Sequence, residues 1–275
     1  MLLPRILTAA IGIPLVIGAI HLGGLVYAAF IAGITLLCLY EYGLILWLGG
    51  KPVQRVPLAL FGAVMWLAAV FSRNAGLAGF PDGVMPVAIS LTVFGIAFWE
   101  LLMPGRSLER MALTLFGVFF IPWSLAYMVN IRELSPYGEY YTVMLFVSVW
   151  VGDTAAYFVG KRYGGAKLLE AVSPKKTWVG AIAGFIGSIV VMVALKNMLV
   201  PQSMGGLEAV FLGAVAGVAG QASDLAESVL KRSSGVKDSS ALLPGHGGVL
   251  DRFDSYLLLA PLYYFTLLMV IGLNR

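Results

Sequence analysis

A chain of 275 residues that is 60% hydrophobic and 12% charged, with a mean hydropathy of +0.91, lies far from soluble domains, in which about 25% of residues are charged. Its net charge of +4 and pI near 9.1 accompany no nucleic-acid motif and no basic patch interleaved with aromatics, so nucleic acid is excluded as a partner and the bilayer is the expected solvent. The single cysteine, Cys38, sits in the apolar run ITLLCLYEY and excludes an intrachain disulfide or a cysteine metal cluster.

The opening MLLPRILTAAIGIPLVIGAI reads as a first span rather than a cleaved signal, because another apolar segment follows almost at once and no small-residue cleavage site intervenes. With about 20 apolar residues needed per crossing, the chain predicts an all-α, polytopic membrane protein of about nine spans. These fall near 6–21, 24–48, 57–72, 84–103, 111–129, 141–160, 178–195, 207–230 and 255–272. The first and third are short enough to be re-entrant. Turn-rich punctuation separates the spans: LGG, GGKPVQRVP, SRNAGLAGFPDG, MPGRS, ELSPYGEY, RYGG with SPKKT, and VPQSMGG. No internal repeat or soluble linker appears. The expected organisation is one membrane domain over 1–275, with N-terminal transmembrane helices in 1–140 and catalytic helices and loops in 141–275.

Charge gives an orientation. With the N-terminus inside, Arg5, Lys51, Arg55, Arg106, Arg110, Lys161, Arg162, Lys167, Lys175, Lys176, Lys231, Arg232, Lys237 and Arg252 fall on one side, and only Arg73, Arg132, Lys196 and Arg275 on the other. Fourteen against four is a cytoplasmic excess, and an odd number of spans produces it. The polar loops 161–177 and 231–254 then both face the cytoplasm, where nucleoside triphosphates are available.

The polar residues concentrate in QASDLAESVLKRSSGVKDSSALLPGHGGVLDRFD, 221–254. An Asp at a helix centre costs about 2.5–3.5 kcal/mol on insertion scales, so Asp153 and Asp224 need compensation. Both lie near the cytoplasmic ends of their spans, where a polar residue can also simply reach interfacial water. Gln221, Asp224, Ser228 and Lys231 follow helical spacing and form one polar stripe, which suggests a polar cavity open to the cytoplasmic side. Asp251 and Asp254 are spaced i, i+3 at the start of the last span. They suit a helix N-terminus, where acidic charge complements the macrodipole for about 0.3–1 kcal/mol. Together with Asp224 they also make a hard-cation site, because Mg²⁺ takes oxygen ligands from one or two carboxylates plus phosphates.

Between them, PGHGG can bring backbone N–H groups close to phosphate oxygens through Gly245, Gly247 and Gly248, although glycine-rich turns between helices are common. His246 could donate to phosphate or move a proton, and a lone His also serves as a structural hydrogen-bonder. The other histidine, His21, lies beside LGG on the opposite face, which argues against a His-ligated metal. In the upstream loop, SPKKT has helix-start character, with Thr177 as a cap, and its lysines fit either a phosphate ligand or positive-inside topology. Glu41 and Glu100 read as structural, paired or snorkelling near the cytoplasmic interface.

The run SVLKRSSGVKDSSALLPGHGGVLDRFD, 228–254, resembles the full signature of the phosphatidate cytidylyltransferases, or CDP-diacylglycerol synthases. Ser228, Lys231, Arg232, Lys237, Asp238, Pro244, His246, Gly247, Gly248, Asp251, Arg252 and Asp254 stand in the expected places, and GDTAAYFVGKRYG and SPKKTW resemble the family's upstream motifs. Val179 departs from the polar residue, commonly Glu, that often follows SPxKTW.

The resemblance implies that CTP and phosphatidic acid give CDP-diacylglycerol and pyrophosphate in phospholipid biosynthesis. It further implies catalytic roles for Asp224, Asp251, Lys237 and His246, and substrate binding by Ser173, Lys175, Lys176, Ser228, Lys231, Arg232, Gly247, Gly248 and Arg252. Asp224, Asp251 and Asp254 would bind Mg²⁺, with a second cation such as K⁺ nearby. The expected setting is a bacterial cytoplasmic membrane with the site facing the cytoplasm, and the Gly- and Ala-rich spans permit close helix packing, including that of a homodimer. The alternative is a transporter with an intramembrane Asp/Gly site, although transporters often show paired halves and here the polar chemistry lies in the second half. A CDP-alcohol phosphotransferase would carry a DG-x-x-AR element, which is absent, and a membrane scaffold would show no CTP dependence.

Overall fold

Backbone amides facing hydrocarbon have no water to bond, so apolar stretches of this length close their hydrogen bonds internally as helices. The computed structural model describes residues 3–71, 83–245 and 247–273, with the backbone alone at 3–7, 9 and 273. Its helices are α1 (Leu3–Leu22), α2 (Gly24–Leu48), α3 (Arg55–Phe71), α4 (Met85–Leu102), α5 (Leu108–Val118), α6 (Ser124–Arg132), α7 (Gly138–Tyr163), α8 (Trp178–Leu199), α9 (Gly206–Ser233) and α10 (Leu250–Leu273). A π-turn at Phe119–Trp123 joins α5 and α6 into one rod. Pro122 lies inside it and has no N–H to give to the helical ladder, and Ser124 Oγ donates to Phe119 O at 3.2 Å.

Among the described residues, seven rods are long and apolar enough to cross a membrane, and two, Ala10–Leu22 and Arg55–Phe71, are shorter. The two short ones are the first and third, as expected. The protein is a multi-pass, helical membrane protein.

Between α7 and α8 the chain forms an antiparallel hairpin of β1 (Lys167–Leu169) and β2 (Ser173–Thr177), in register Lys167↔Thr177 and Leu169↔Ser173. SPKKT is thus a strand that leads into a helix. Pro174 disfavours helical backbone at Ser173, and the chain stays extended until Thr177 (φ −120°, ψ 154°), whose side chain accepts from Gly180 N at 3.1 Å and caps α8.

The chain divides into two compact units, each assembled from separate stretches of sequence. The first comprises Met1–Ala19, Gly24–Asn130 and Lys231–Phe253, so the loop after α9 packs with the N-terminal helices. Its interior is built around Tyr42, which is fully buried and donates from its hydroxyl to Leu113 O at 2.6 Å. Gly117 makes room for that ring, because a Cβ there would lie 2.5 Å from Tyr42 Cε1. Glu100, expected to be structural, is ion-paired with Arg110 and accepts from Gln54 Nε2 and Ser107 N, each at 2.6 Å.

The second unit comprises Ile20–Gly23, Ile131–Leu230 and Asp254–Arg275. Its helices meet along glycines. A Cβ on Gly184 of α8 would lie 2.9 Å from Gly152 O of α7, and one on Gly213 of α9 would lie 2.7 Å from Ile189 Cα of α8. The segments GAIAGFIGS and GAVAGVAG thus bring α7, α8 and α9 together within the chain. Gln221 Nε2 donates to Ala181 O at 3.1 Å and holds α9 to α8. Ser223 Oγ donates to Asp254 O and accepts from Leu258 N at 2.9 Å, holding α9 to α10. At the other end of this unit, His21 closes α1 and pairs through Nδ1 with Glu139 at 3.0 Å.

Candidate active site

In the first unit the site residues lie at the end of α9, in the loop 234–249 and at the start of α10. The turn out of α9 needs Gly235, at φ +71°, where Gly235 N and Val236 N donate back to Arg232 O and Lys231 O, both at 3.0 Å. Lys231, in the last turn of α9, reaches Asp251 Oδ1 at 2.6 Å, and the two side chains are only 10% and 7% exposed. The other oxygen, Asp251 Oδ2, accepts from Ser239 N (2.9 Å), Ser239 Oγ (2.9 Å) and Gly248 N (2.8 Å). This carboxylate is therefore held on one side by neutral donors and on the other by a single ammonium.

The glycines serve this arrangement directly. Gly247 has φ +80°, and a Cβ there would come to 2.5 Å from Asp251 Oδ2. The Gly248 amide, expected to face phosphate, here donates to Asp251. Arg232 extends one donor to Val236 O at 2.9 Å, and Arg232, Lys237 and Arg252 are all exposed. His246 lies outside the described residues.

In the second unit, Lys176 on β2 reaches Asp224 Oδ2 on α9 at 2.6 Å, with both side chains 27% exposed. Ser228, one turn on, donates to Asp224 Oδ1 at 3.4 Å, so Asp224 and Ser228 do share the predicted face of α9. Successive strand residues point to opposite sides, which explains why Lys176 meets Asp224 while its neighbour Lys175 is exposed; Ser173 opens the strand, half-buried. Gln221, the fourth member of the expected stripe, is turned to the α8 backbone instead. Asp254 Oδ1 accepts from Ser255 N at 2.6 Å and Ser255 Oγ at 3.3 Å.

Asp224 and Asp251 each hold a cation, an ammonium at 2.6 Å, on carboxylate oxygens. Hard, anionic oxygen donors of this kind fit Mg²⁺. Among the described residues, neither unit gathers three or more His, Cys, Asp or Glu side chains into a metal-holding group of its own.

One residue of the first unit, Ser239, escaped the sequence reading, and another, Glu41, was read only as structural. Ser239 contacts Asp251 through both N and Oγ, and Glu41, the one acidic residue of α2, joins the same loop. The available signals were the position of Ser239 directly after the basic-acidic pair KD, and the isolation of a carboxylate in 25 otherwise uncharged helical residues.

A family model described as the cytidylyltransferase family matches residues 3–270. The chain is 32% identical over 300 residues to a phosphatidate cytidylyltransferase of Synechocystis sp., covering 98% of each chain. It is 31% identical over 270 residues to the phosphatidate cytidylyltransferase of Bacillus subtilis, covering 96% of each. It is also 31% identical over 287 residues to phosphatidate cytidylyltransferase 5, chloroplastic, of Arabidopsis thaliana, covering 94% of this chain and 70% of that protein.

Proposed function

We infer the reaction from the premise that the match establishes: this chain belongs to the cytidylyltransferase family. It transfers the cytidylyl group of CTP to phosphatidate, giving CDP-diacylglycerol and pyrophosphate for phospholipid synthesis. The observation that carries this reading is similarity over almost the whole chain, 96–98%, to proteins named phosphatidate cytidylyltransferase. The transporter reading finds no support among these relatives.

One substrate is a lipid and the other a soluble polyanion, so a membrane enzyme with a polar mouth suits both. A phosphate oxygen of phosphatidate forms a bond to the α-phosphorus of CTP. The bond from that phosphorus to the bridging oxygen breaks, and pyrophosphate leaves with the electron pair. The nucleophile is already ionised near neutral pH, so no covalent enzyme intermediate is required. Bringing two anions together is the difficulty, and positioning with charge neutralisation is the remedy.

Lys176 and Lys231 are the central cations of this proposal. Each is bound to an aspartate in the structure, and each is also a natural partner for a triphosphate or a phosphatidate headgroup. Substrate binding would exchange these ion pairs, leaving Asp224 and Asp251, with Asp254 as a further ligand, to hold Mg²⁺. When bound, Mg²⁺ neutralises phosphate charge and polarises the reacting phosphorus. Lys175, Arg232, Lys237 and Arg252 are exposed and assigned to substrate phosphates, Ser173, Ser228, Gly247 and Gly248 are assigned to substrate binding, and His246 is assigned proton transfer or phosphate contact. A second cation such as K⁺ belongs to this proposal through the family resemblance.

The excess of Lys and Arg on one side supports a site at the cytoplasmic face, in a bacterium that of the inner membrane. A homodimer would use other helix faces, because the glycine seams described above are filled within the chain.

The test is direct. Purified protein incubated with CTP labelled at the α-phosphate, phosphatidate and Mg²⁺ is expected to move the label into the lipid phase only when all three are present. Label that stays in the aqueous phase, or that enters lipid without phosphatidate, contradicts the assignment.

A further inference from the structure

We propose that Glu41, on α2, is a positioning residue that holds Asp251 in its working place by anchoring the loop and the helix end from which Asp251 projects. The proposal rests on the role given to Asp251 above and deepens it.

Glu41 is fully buried, and each of its oxygens receives one hydroxyl and one backbone amide. Oε1 accepts from Ser240 Oγ (2.6 Å) and Val249 N (2.9 Å), and Oε2 accepts from Ser239 Oγ (2.8 Å) and Leu250 N (2.7 Å). The amides of Val249 and Leu250 stand at the start of α10, where N–H groups have no acceptor within their own helix. A carboxylate from a different helix supplies that acceptor, and its negative charge suits the positive end of the α10 dipole. Asp251 is the next residue. Fixing the two amides before it therefore fixes the direction in which its side chain leaves the helix.

A second link runs through one hydroxyl. Ser239 Oγ lies 2.8 Å from Glu41 Oε2 and 2.9 Å from Asp251 Oδ2, and its single proton can serve only one of them at a time. The two buried carboxylates are thus joined through an atom that each orients. Gly248 completes the arrangement, since a Cβ at that position would collide with Ser239 Oγ and with both Glu41 oxygens. An acidic side chain present only to satisfy an interior would have no need to end on the amides that precede a functional aspartate.

Glu41→Gln preserves shape but presents an NH₂ group where two donors already point. It is expected to lower kcat about 10–100-fold, the range seen when the partners that orient a ligating group are removed, with the KM for phosphatidate unchanged. Hydrogen exchange over residues 239–250 is expected to accelerate while the remaining helices keep the wild-type pattern. Ser240→Ala leaves the carboxylate intact and removes one of its four donors; it is expected to give a smaller kcat loss, and it keeps the test open if Glu41→Gln does not fold. Wild-type kcat and wild-type exchange in either folded variant overturn the proposal, as does faster exchange spread evenly along the chain. If the wild-type protein forms no CDP-lipid while exchange at 239–250 still responds to Glu41→Gln, the reaction assigned above fails and the link between Glu41 and the loop stands.

Discussion

Asp251→Asn is expected to reduce CDP-diacylglycerol formation about 10²–10³-fold at saturating CTP, the usual cost of removing one preorganised electrostatic group, and added Mg²⁺ is not expected to restore it. The change keeps size but replaces one acceptor oxygen with an NH₂ group and removes the charge that meets Lys231 at 2.6 Å. Because both side chains are almost enclosed, breaking this buried pair also costs stability, about 3 kcal/mol or more. Rate and stability must therefore be read separately. Pairing Asp251→Asn with Lys231→Met is expected to recover part of the thermal stability and none of the turnover. Asp224→Asn provides the complementary case. Its ion pair with Lys176 is more open, worth about 1 kcal/mol or less, so the rate is expected to fall in a protein that unfolds much as the wild type does. Near wild-type activity in both aspartate variants would remove the metal-binding role from the account.

Gly213→Leu is expected to be strongly destabilising although it lies away from the site. Its Cβ alone would stand 2.7 Å from Ile189 Cα, 3.0 Å from Met192 Cβ and 3.1 Å from Ser188 O, and two of those atoms are backbone, which cannot rotate aside. Separating α8 from α9 costs about 1–3 kcal/mol by ordinary overpacking, and more where the helices also share Gln221 and its bond to Ala181. The measurement is the apparent unfolding temperature in detergent, with Gly33→Leu in α2 as the control. A Cβ at Gly33 meets nothing within 4 Å, so that variant is expected to unfold like the wild type. Equal effects at Gly213 and Gly33 would contradict the packing described for α8 and α9.

The helices were legible because hydropathy reports the solvent a segment needs, and here the solvent is lipid. Even the two short helices and the cap at Thr177 could be read in advance. Partners could not. In a bilayer both the lipid and the neighbouring helix are apolar, so periodicity does not tell which face of α8 meets α7, and the glycines that decide it read only as permission for close contact. The hairpin at 167–177 was hidden because Ser-Pro followed by Lys-Lys-Thr is equally a helix start; the pairing of Leu169 with Ser173 is what holds the strand extended. Within the site, the residue types were clear and their assignments were not. Nothing in the spacing distinguishes Lys175 from Lys176, whereas the pleat of β2 brings only the second to Asp224. Glu41 was further from reach still. Its partners lie about two hundred residues along the chain, and a lone acid in an apolar helix looks the same whether it ends at an interface or at the start of another helix.

The account comes down to which oxygen attacks which phosphorus. Phosphatidate carrying ¹⁸O in its phosphate, turned over with unlabelled CTP, tests this in one experiment read by mass spectrometry. Attack by the lipid phosphate on the α-phosphorus predicts that CDP-diacylglycerol keeps all of the heavy oxygen and that pyrophosphate carries none. Heavy oxygen in pyrophosphate, or its loss from the lipid product, would contradict the account.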